Sequence, residues 1–525
     1  TAAGMLAGCG SKTDTDTFRF ANDTDIVGMD STVVDDAMSF NAITAITDGL
    51  TTVDVKGNTI PGIAKSWDVS NNGLTYTFHL RDAKWANGDE VTAQDFVYSW
   101  HRIIKNAGNY AYMLGSEGAS IKNADSLIDL GTTATDEQLN TLGIKATDDK
   151  TVVVDLEKNV PYFVSLMSFP CYFPQNQKFV EKCGKNYGTK PEYTISNGAY
   201  TMTKWVKGNK ATFTKNDKYY DAKTVATKNL EMYLVQDPKT AAQNFDNGKV
   251  DYATINSTLV DKYKGKDTFT TFNEGFLFYL NLNFKVKSIA DKNVREALSY
   301  AINRKDLCEN VLKDGSRAAT GFVPSQLSKS PAGKDFRDDA DKYVSYDQKK
   351  AQQYLDAAKK ELGTDTITVD LLYGTDESPM DTMAEYLQGS FTKLKGLKVN
   401  MVATVKKDRI YNREANGNFQ VVCTRWGPDY ADPTTYLNLL STGNSNNYGK
   451  YSNAKYDALM EQVQTESDLT KRWSLMVEAE KVAMEDLADI PVFEKGSAAL
   501  KAKNVSGLVQ VAVGVPYTFK YVKVK

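Results

Sequence analysis

"FQVVCTRWGPDYADP", residues 419–433, decides the fold. Phe419 to Thr424 reads as a buried strand, and Gly427-Pro428 must then turn the chain. Working back to Thr366, the pattern gives a strand over 367–373, a helix over 378–395, a strand over 397–404, a helix over 408–416 and this last strand over 419–424. Such β-α-β-α-β alternation builds a mostly parallel sheet with right-handed crossovers. Its strand ends fall on one edge, where ligands bind in open α/β sheets. Trp426 and Asp429 fall on that edge. Taken alone, an aspartate after Gly-Pro reads first as a turn or cap residue, and a tryptophan there as core.

The rest of the chain is punctuated as clearly. Leu74, Tyr76, Phe78 and Leu80 alternate with polar residues, as in a half-buried strand. Thr92 then caps a helix, with Asp95 at capping-box distance and Phe96, Val97, Trp100, Ile103 and Ile104 on its apolar face. Residues 193–235 read as β-rich, with 195–216 a hairpin turning at Lys207-Gly208-Asn209 and a strand over 229–235, followed by a helix ending at Gly248. Residues 292–312 read as one amphipathic helix. "IPVFEKGSAALKAKNVSGLV" returns to strand and turn, which suggests that the terminus crosses back to the first domain.

A chain of 525 residues is too long for one core, so two or three domains are expected. Apolar content of 41% and charged content of 25% are ordinary for a globular protein. A net charge of −3 gives no reason to expect nucleic acid as partner. No apolar stretch is long enough to span a membrane. The first residues run from small and apolar into Leu6-Ala7-Gly8-Cys9-Gly10 and then a polar "SKTDTDT". That order resembles a bacterial lipobox, so residues 1–9 are expected to be a signal-peptide remnant ending at Cys9, the lipidated residue. Two acyl chains on one cysteine suffice for stable anchoring. Cys171 and Cys183 are close enough in sequence to close a small loop; free buried thiols fit equally well.

The usual catalytic signatures are not found. His79 and His101 are the two histidines, one in an alternating strand and one on a helix, and both read as structural. The sequence contains no HExxH, GxSxG or GxGxxG, and the run from Gly443 to Lys450 has the wrong spacing for a phosphate loop. Paired carboxylates for glycosidase chemistry are not singled out by any spacing.

Several segments in order, "GLTYTFHLRDAKWANGDEVTAQDFVYSW", "NGAYTMTKW", "VREALSYAINR" and "WGPDYADPTTYLNLL", resemble the oligopeptide-binding proteins of bacterial ABC importers, within the peptide/nickel-type extracellular solute-binding family. The resemblance implies an α/β, periplasmic-binding-protein-like fold: two hinged α/β lobes plus an extra smaller lobe, three domains in all. Lobe I would comprise 10–49, 190–275 and 493–525, lobe II 50–189, and lobe III 276–492. A peptide would lie between lobes I and III, and closure would follow.

The resemblance also assigns roles. The aspartate of the "DY" pair, here Asp429, would bind the peptide α-ammonium, since a charge enclosed in a cleft must be paired. Main chain near Trp426 and Gly427 would take the peptide as an added strand. The facing segment would be "STVVDDAMS" (31–39), with Asp35 and Ala37 as main-chain partners. Cys423 stands where some members carry an arginine for the peptide C-terminus, and Arg425, on the same face two residues on, would substitute. The implied protein is a monomeric, non-catalytic lipoprotein without cofactor or metal. It would sit on the outer face of a Gram-positive cytoplasmic membrane and deliver oligopeptides to an ABC permease. A receptor for one peptide signal, a binder of oligosaccharide or nickel on the same scaffold, and a hydrolase are the competing readings.

Overall fold

The computed structural model describes residues 14–525. The expected lipidation site, Cys9, lies outside them. Ile367–Gly374 and Leu397–Thr404 pair in parallel from Ile367↔Leu397 to Gly374↔Thr404. The helix Met380–Phe391 makes the crossover, burying Met380, Met383, Ala384, Leu387 and Phe391 because these recur at helical spacing. Val421–Trp426 joins the other edge of Ile367–Gly374, also in parallel. The β-α-β-α-β unit is therefore present, with its second helix running Lys406–Asp408 and Arg409–Glu414.

Among the described residues this unit is one end of an 11-stranded sheet. Two long strands, Phe269–Leu282 and Asp489–Lys501, form its middle and pair antiparallel. Phe269–Leu282 pairs through Leu277–Leu282 with Val421–Trp426, and Asp489–Lys501 pairs through Ala498–Lys501 with Tyr252–Ile255, beyond which lie Thr17–Asn22, Asn229–Leu234, Lys210–Lys215 and Tyr200–Val206. The crossing back expected of the C-terminal segment is thus made by Asp489–Lys501. Where the two regimes meet, the register slips between Asn273 and Leu277, around Gly275 at φ +87°. A slip of this kind bends and twists a strand locally.

A separate antiparallel sheet holds Ala64–Ser70, Thr75–Leu80, Thr151–Asp155 and Ile144–Asp148. Its alternation is as read: Tyr76, Phe78 and Leu80 are buried and the residues between them are not. Asp95 accepts from the Thr92 N–H at 3.0 Å and from Trp85 Nε1 at 2.9 Å, and burial pushes its carboxyl up to about 6. Apolar residues gather into distinct cores. One lies within 50–172 with Ile195 and Tyr430, and one runs from Phe278 to Phe493. A third joins Phe18 and Phe20 to Tyr252, Tyr517 and Phe519, with Phe20–Phe519 centroids 5.3 Å apart.

Two expectations are corrected or resolved. The single helix read over 292–312 is broken: Lys292–Tyr300 ends, and Arg304–Asp306 restarts under an Asn303 cap that accepts the Asp306 N–H. The break lets Arg304 turn inward, where Pro491 O accepts from Nε at 2.8 Å and Ser299 Oγ from Nη2 at 3.1 Å. Cys171, Cys183, Cys308 and Cys423 are all free thiols, so the small loop between Cys171 and Cys183 is not closed by a disulfide.

Candidate functional site

The site is built on the end of Val421–Trp426. On one side this strand pairs with Phe269–Leu282 along its whole length, from Leu282↔Val421 to Leu277↔Trp426. On the other it pairs only at Val421 and Val422. From Cys423 onward that second edge carries no strand partner among the described residues. Unpaired edges of this kind accept an added extended chain. The strand is rigid from below: Arg409 Nη1 donates to Thr424 Oγ1 at 3.0 Å while its other nitrogens grip Glu377 at 2.8 Å each. Glu414 adds a further 2.8 Å contact to Arg409, and burial pushes its carboxyl up to about 7.

At Gly427 a side chain is excluded, because a Cβ would lie 2.5 Å from the Phe276 ring. Tyr436 OH lies 2.7 Å from Gly275 O and 3.0 Å from Trp426 O and shares its one proton between them, tying the strand end to the register slip. The loop that follows is fixed by Asp432, 6% exposed, whose two oxygens accept from Arg472 at 2.7 and 2.8 Å. Asp432 also accepts the Thr434 N–H at 3.1 Å. Tyr430 lies flat on Tyr162, centroids 4.1 Å apart and planes at 2°, which fastens the loop to the core of residues 50–172.

Asp429 is held by this frame through its backbone, whose N–H donates to Thr435 Oγ1 at 3.2 Å. Its carboxylate has neither a hydrogen bond nor an ion pair among the described residues. One face is exposed; protein crowds the others, so burial, with a smaller contribution from Glu117, pushes the carboxyl up to about 6. It lines an 830 Å³ cavity together with Tyr110, Tyr112, Tyr430, Leu327 and Val513, contributed by distant parts of the chain. A carboxylate on a cavity wall with no protein cation beside it is chemically a receptor for a ligand cation.

The other expected residues are placed differently. Trp426 and Gly427 sit on the free-edged strand end, outside the cavity wall. Arg425 packs its guanidinium over the Phe276 ring at 5.0 Å and makes no ion pair among the described residues. Residues 31–33 form a turn, and no residue of 31–36 is in a strand. Asp36 caps the helix Ala37–Ile46 by accepting the Ser39 N–H at 2.8 Å, and Asp35 accepts from Asn109 Nδ2. Ala37 opens that helix, where N–H groups have no intrahelical acceptor. Asp35 and Ala37 are not part of the cavity wall. Sequence reasoning missed Tyr110, Tyr112, Tyr162 and Arg472, because nothing local marks a tyrosine or arginine whose partner is far along the chain. The tyrosine-rich "NYAYM" (109–113) was the one available hint.

Comparison with known proteins gives a consistent picture. Residues 58–448 match the model of bacterial extracellular solute-binding proteins, family 5. A dipeptide-binding protein of Lactococcus lactis subsp. cremoris is 35% identical over 99% of this chain and 97% of its own length. The Listeria monocytogenes OppA structure bound to peptide shares 31% identity and covers 98% of this chain and 100% of its own, with a TM-score of 0.69. The murein tripeptide binding protein MppA in its unliganded open form shares 26% identity over 97% of this chain and 98% of its own, yet reaches a TM-score of 0.84. The less similar sequence gives the better superposition. With a periplasmic-binding-protein-like fold matched along nearly its full length, this chain belongs to the family 5 extracellular solute-binding proteins.

Proposed function

We propose that this protein captures oligopeptides outside the cytoplasmic membrane and delivers them to an ABC importer. The observation that carries this reading is Asp429: a carboxylate with no partner among the described residues, set just past the end of a strand whose edge is free among them. The peptide α-ammonium pairs with Asp429, and the peptide main chain adds to Cys423–Gly427, facing Asp35 and Ala37 across the cleft. Backbone pairing gives affinity with little sequence preference, and wet side-chain pockets tolerate many residues. Arg425 is available to a peptide carboxylate.

The division into lobe I (10–49, 190–275, 493–525), lobe II (50–189) and lobe III (276–492) is supported by the separate cores and by the register slip at Asn273–Leu277, the boundary between I and III. The lobes close about that slip. The protein works as a monomer, tethered through a lipid on Cys9 to a Gram-positive membrane, and has no catalytic role.

Native mass spectrometry of the protein as purified tests the reading. Release of peptides of similar length and mixed sequence is expected. Release of a sugar, or equal affinity for a peptide and its N-acetyl form, overturns it. Release of one defined peptide selects the signal-receptor version of the same chemistry.

A further inference from the structure

Beside the 830 Å³ cavity lies a second space, a 400 Å³ groove, and Ser330, Pro331 and Trp473 belong to both walls. The helix Leu469–Glu485 explains the sharing. Its residues Leu469, Arg472, Trp473 and Met476 line the cavity, whereas Thr470, Trp473, Ser474 and Val477 line the groove. Each set recurs at three- and four-residue spacing, so each is one stripe of the helix. The stripes lie side by side, with Trp473 on the ridge between them. The facing wall is a tight arch, in which Lys329 bridges to Asp335, the Ser330 N–H donates to Lys334 O at 2.8 Å and the Lys334 N–H donates to Ser330 Oγ at 3.1 Å. Leu327 and Ser328, which lead into the arch, line the cavity; Ala332 at its tip and Lys334 beyond line the groove. The two spaces thus meet along a sill of Ser330, Pro331 and Trp473.

The groove offers a ligand apolar surface and no free charge. Its ionic groups are in pairs, Lys334 with Asp339 at 3.6 Å and Glu478 with Lys455 at 3.3 Å. Trp473 is fixed in place: its Nε1 donates to Asp339 Oδ2 at 3.0 Å, and its ring meets Phe336 edge-on with centroids 5.3 Å apart. A rigid aromatic floor flanked by Pro331, Ala332 and Val477 suits a side chain that gains by leaving water. On the cavity side of the same helix Leu469 is 50% exposed, so the apolar surface continues across the ridge. The sill also shares a frame with Asp429. Arg472, next to Trp473 in the chain, holds Asp432 at 2.7 Å, and Asp432 is three residues from Asp429.

We infer that the groove receives an uncharged, apolar residue from the far part of a peptide too long for the cavity, the chain passing over Trp473 between the helix and the arch. The inference rests on the peptide reading above and adds a rule of length to it. A ligand that ends within the cavity is indifferent to the groove; a longer one is selected by the side chain it lays there.

The test is calorimetric titration of the full chain with C-terminally amidated alanine peptides of increasing length, each ending in leucine or in glycine. From the length that first crosses the sill, the leucine form is expected to bind about tenfold more tightly. Two variants close the groove: Ser474→Trp fills it, and Val477→Lys sets an unpaired charge in it. In both, the leucine preference at those lengths disappears, while affinity for trialanine stays as in the wild type. Ser474 is exposed, so its variant keeps the fold. A photoreactive benzoylphenylalanine in place of the leucine is expected to attach to the groove face of residues 470–478. A leucine preference that survives in both variants, its absence at every length in the wild type, loss of trialanine affinity in both variants, or attachment confined to the cavity wall overturns the inference. Failure of trialanine and of every longer peptide to bind the wild type instead overturns the peptide reading beneath it.

Discussion

Asp432 and Asp429 stand three residues apart on one loop, and the fold treats them in opposite ways. Asp432 is buried, with both oxygens on Arg472 and a third contact to the Thr434 N–H. Asp429 shows one face to the cavity and has no cation among the described residues. The first is the fixture that holds the loop; the second is what the loop presents. Identical side chains are told apart here by pairing: a carboxylate whose charge is already satisfied has nothing to offer a ligand, and one without a protein cation is open to a ligand's.

The largest effect that would test this contrast is on stability. Asp432→Ala leaves Arg472 buried without its anion, and a loss of about 3–5 kcal/mol is expected in denaturant unfolding. Asp429→Asn should cost no stability and should raise it modestly above about pH 6, where the ionised carboxyl opposes folding. A comparable loss from both would erase the distinction. In binding the order reverses: Asp429→Asn should cost a free-amine peptide about 1.5–3 kcal/mol by calorimetry, the range for bonds to charged groups.

Acidity sharpens the comparison. The Asp429 carboxyl is pushed up to about 6 from 3.8, so its ionised form opposes folding; that penalty is full above about 6 and is relieved as pH falls toward 3.8. Peptide affinity runs the other way, since an ammonium needs the carboxylate, and it should fall as pH drops through about 6. Asp429→Asn should flatten both profiles. Affinity in the wild type that is unchanged between about pH 7 and about pH 5 would refute the role of the carboxylate. The smallest effect concerns the frame: Tyr162→Leu removes the stack under Tyr430, and a double-mutant cycle should return a coupling of about 0.5–1.5 kcal/mol.

How far the sequence could be read follows from the range of each interaction. The strand-helix alternation over 367–426, the turn at Gly427-Pro428 and the placement of Asp429 on the sheet edge depend on neighbours, and all were legible. The break at 301–303 was not, because the period of the apolar residues continues through it; Asn303 and the inward turn of Arg304 outweigh that period. The different fates of Asp429 and Asp432 were also hidden, since the deciding partner, Arg472, lies 40 positions on. The cavity wall was hidden for the same reason: Tyr110, Leu327 and Val513 meet only in three dimensions. The segment 31–39 was named as the facing one, but that Asp36 caps a helix starting at Ala37 shows only in the structure.

The two long central strands also constrain how the chain can assemble. Thr17–Asn22 finds its places beside Asn229–Leu234 and Tyr252–Ile255, and the next position is filled by Asp489–Lys501. Asn41 Oδ1 accepts the Tyr517 N–H at 3.1 Å across 476 positions of sequence. Partners so distant make folding slow, because the search for them precedes any reward. Thr17–Asn22 has its strand partners once residue 255 is made, but the core over it stays open until Tyr517 and Phe519 arrive, so a ribosome-bound chain is still incomplete there. A chain cut before Asp489 is accordingly expected to lose both cores that this strand joins, rather than one.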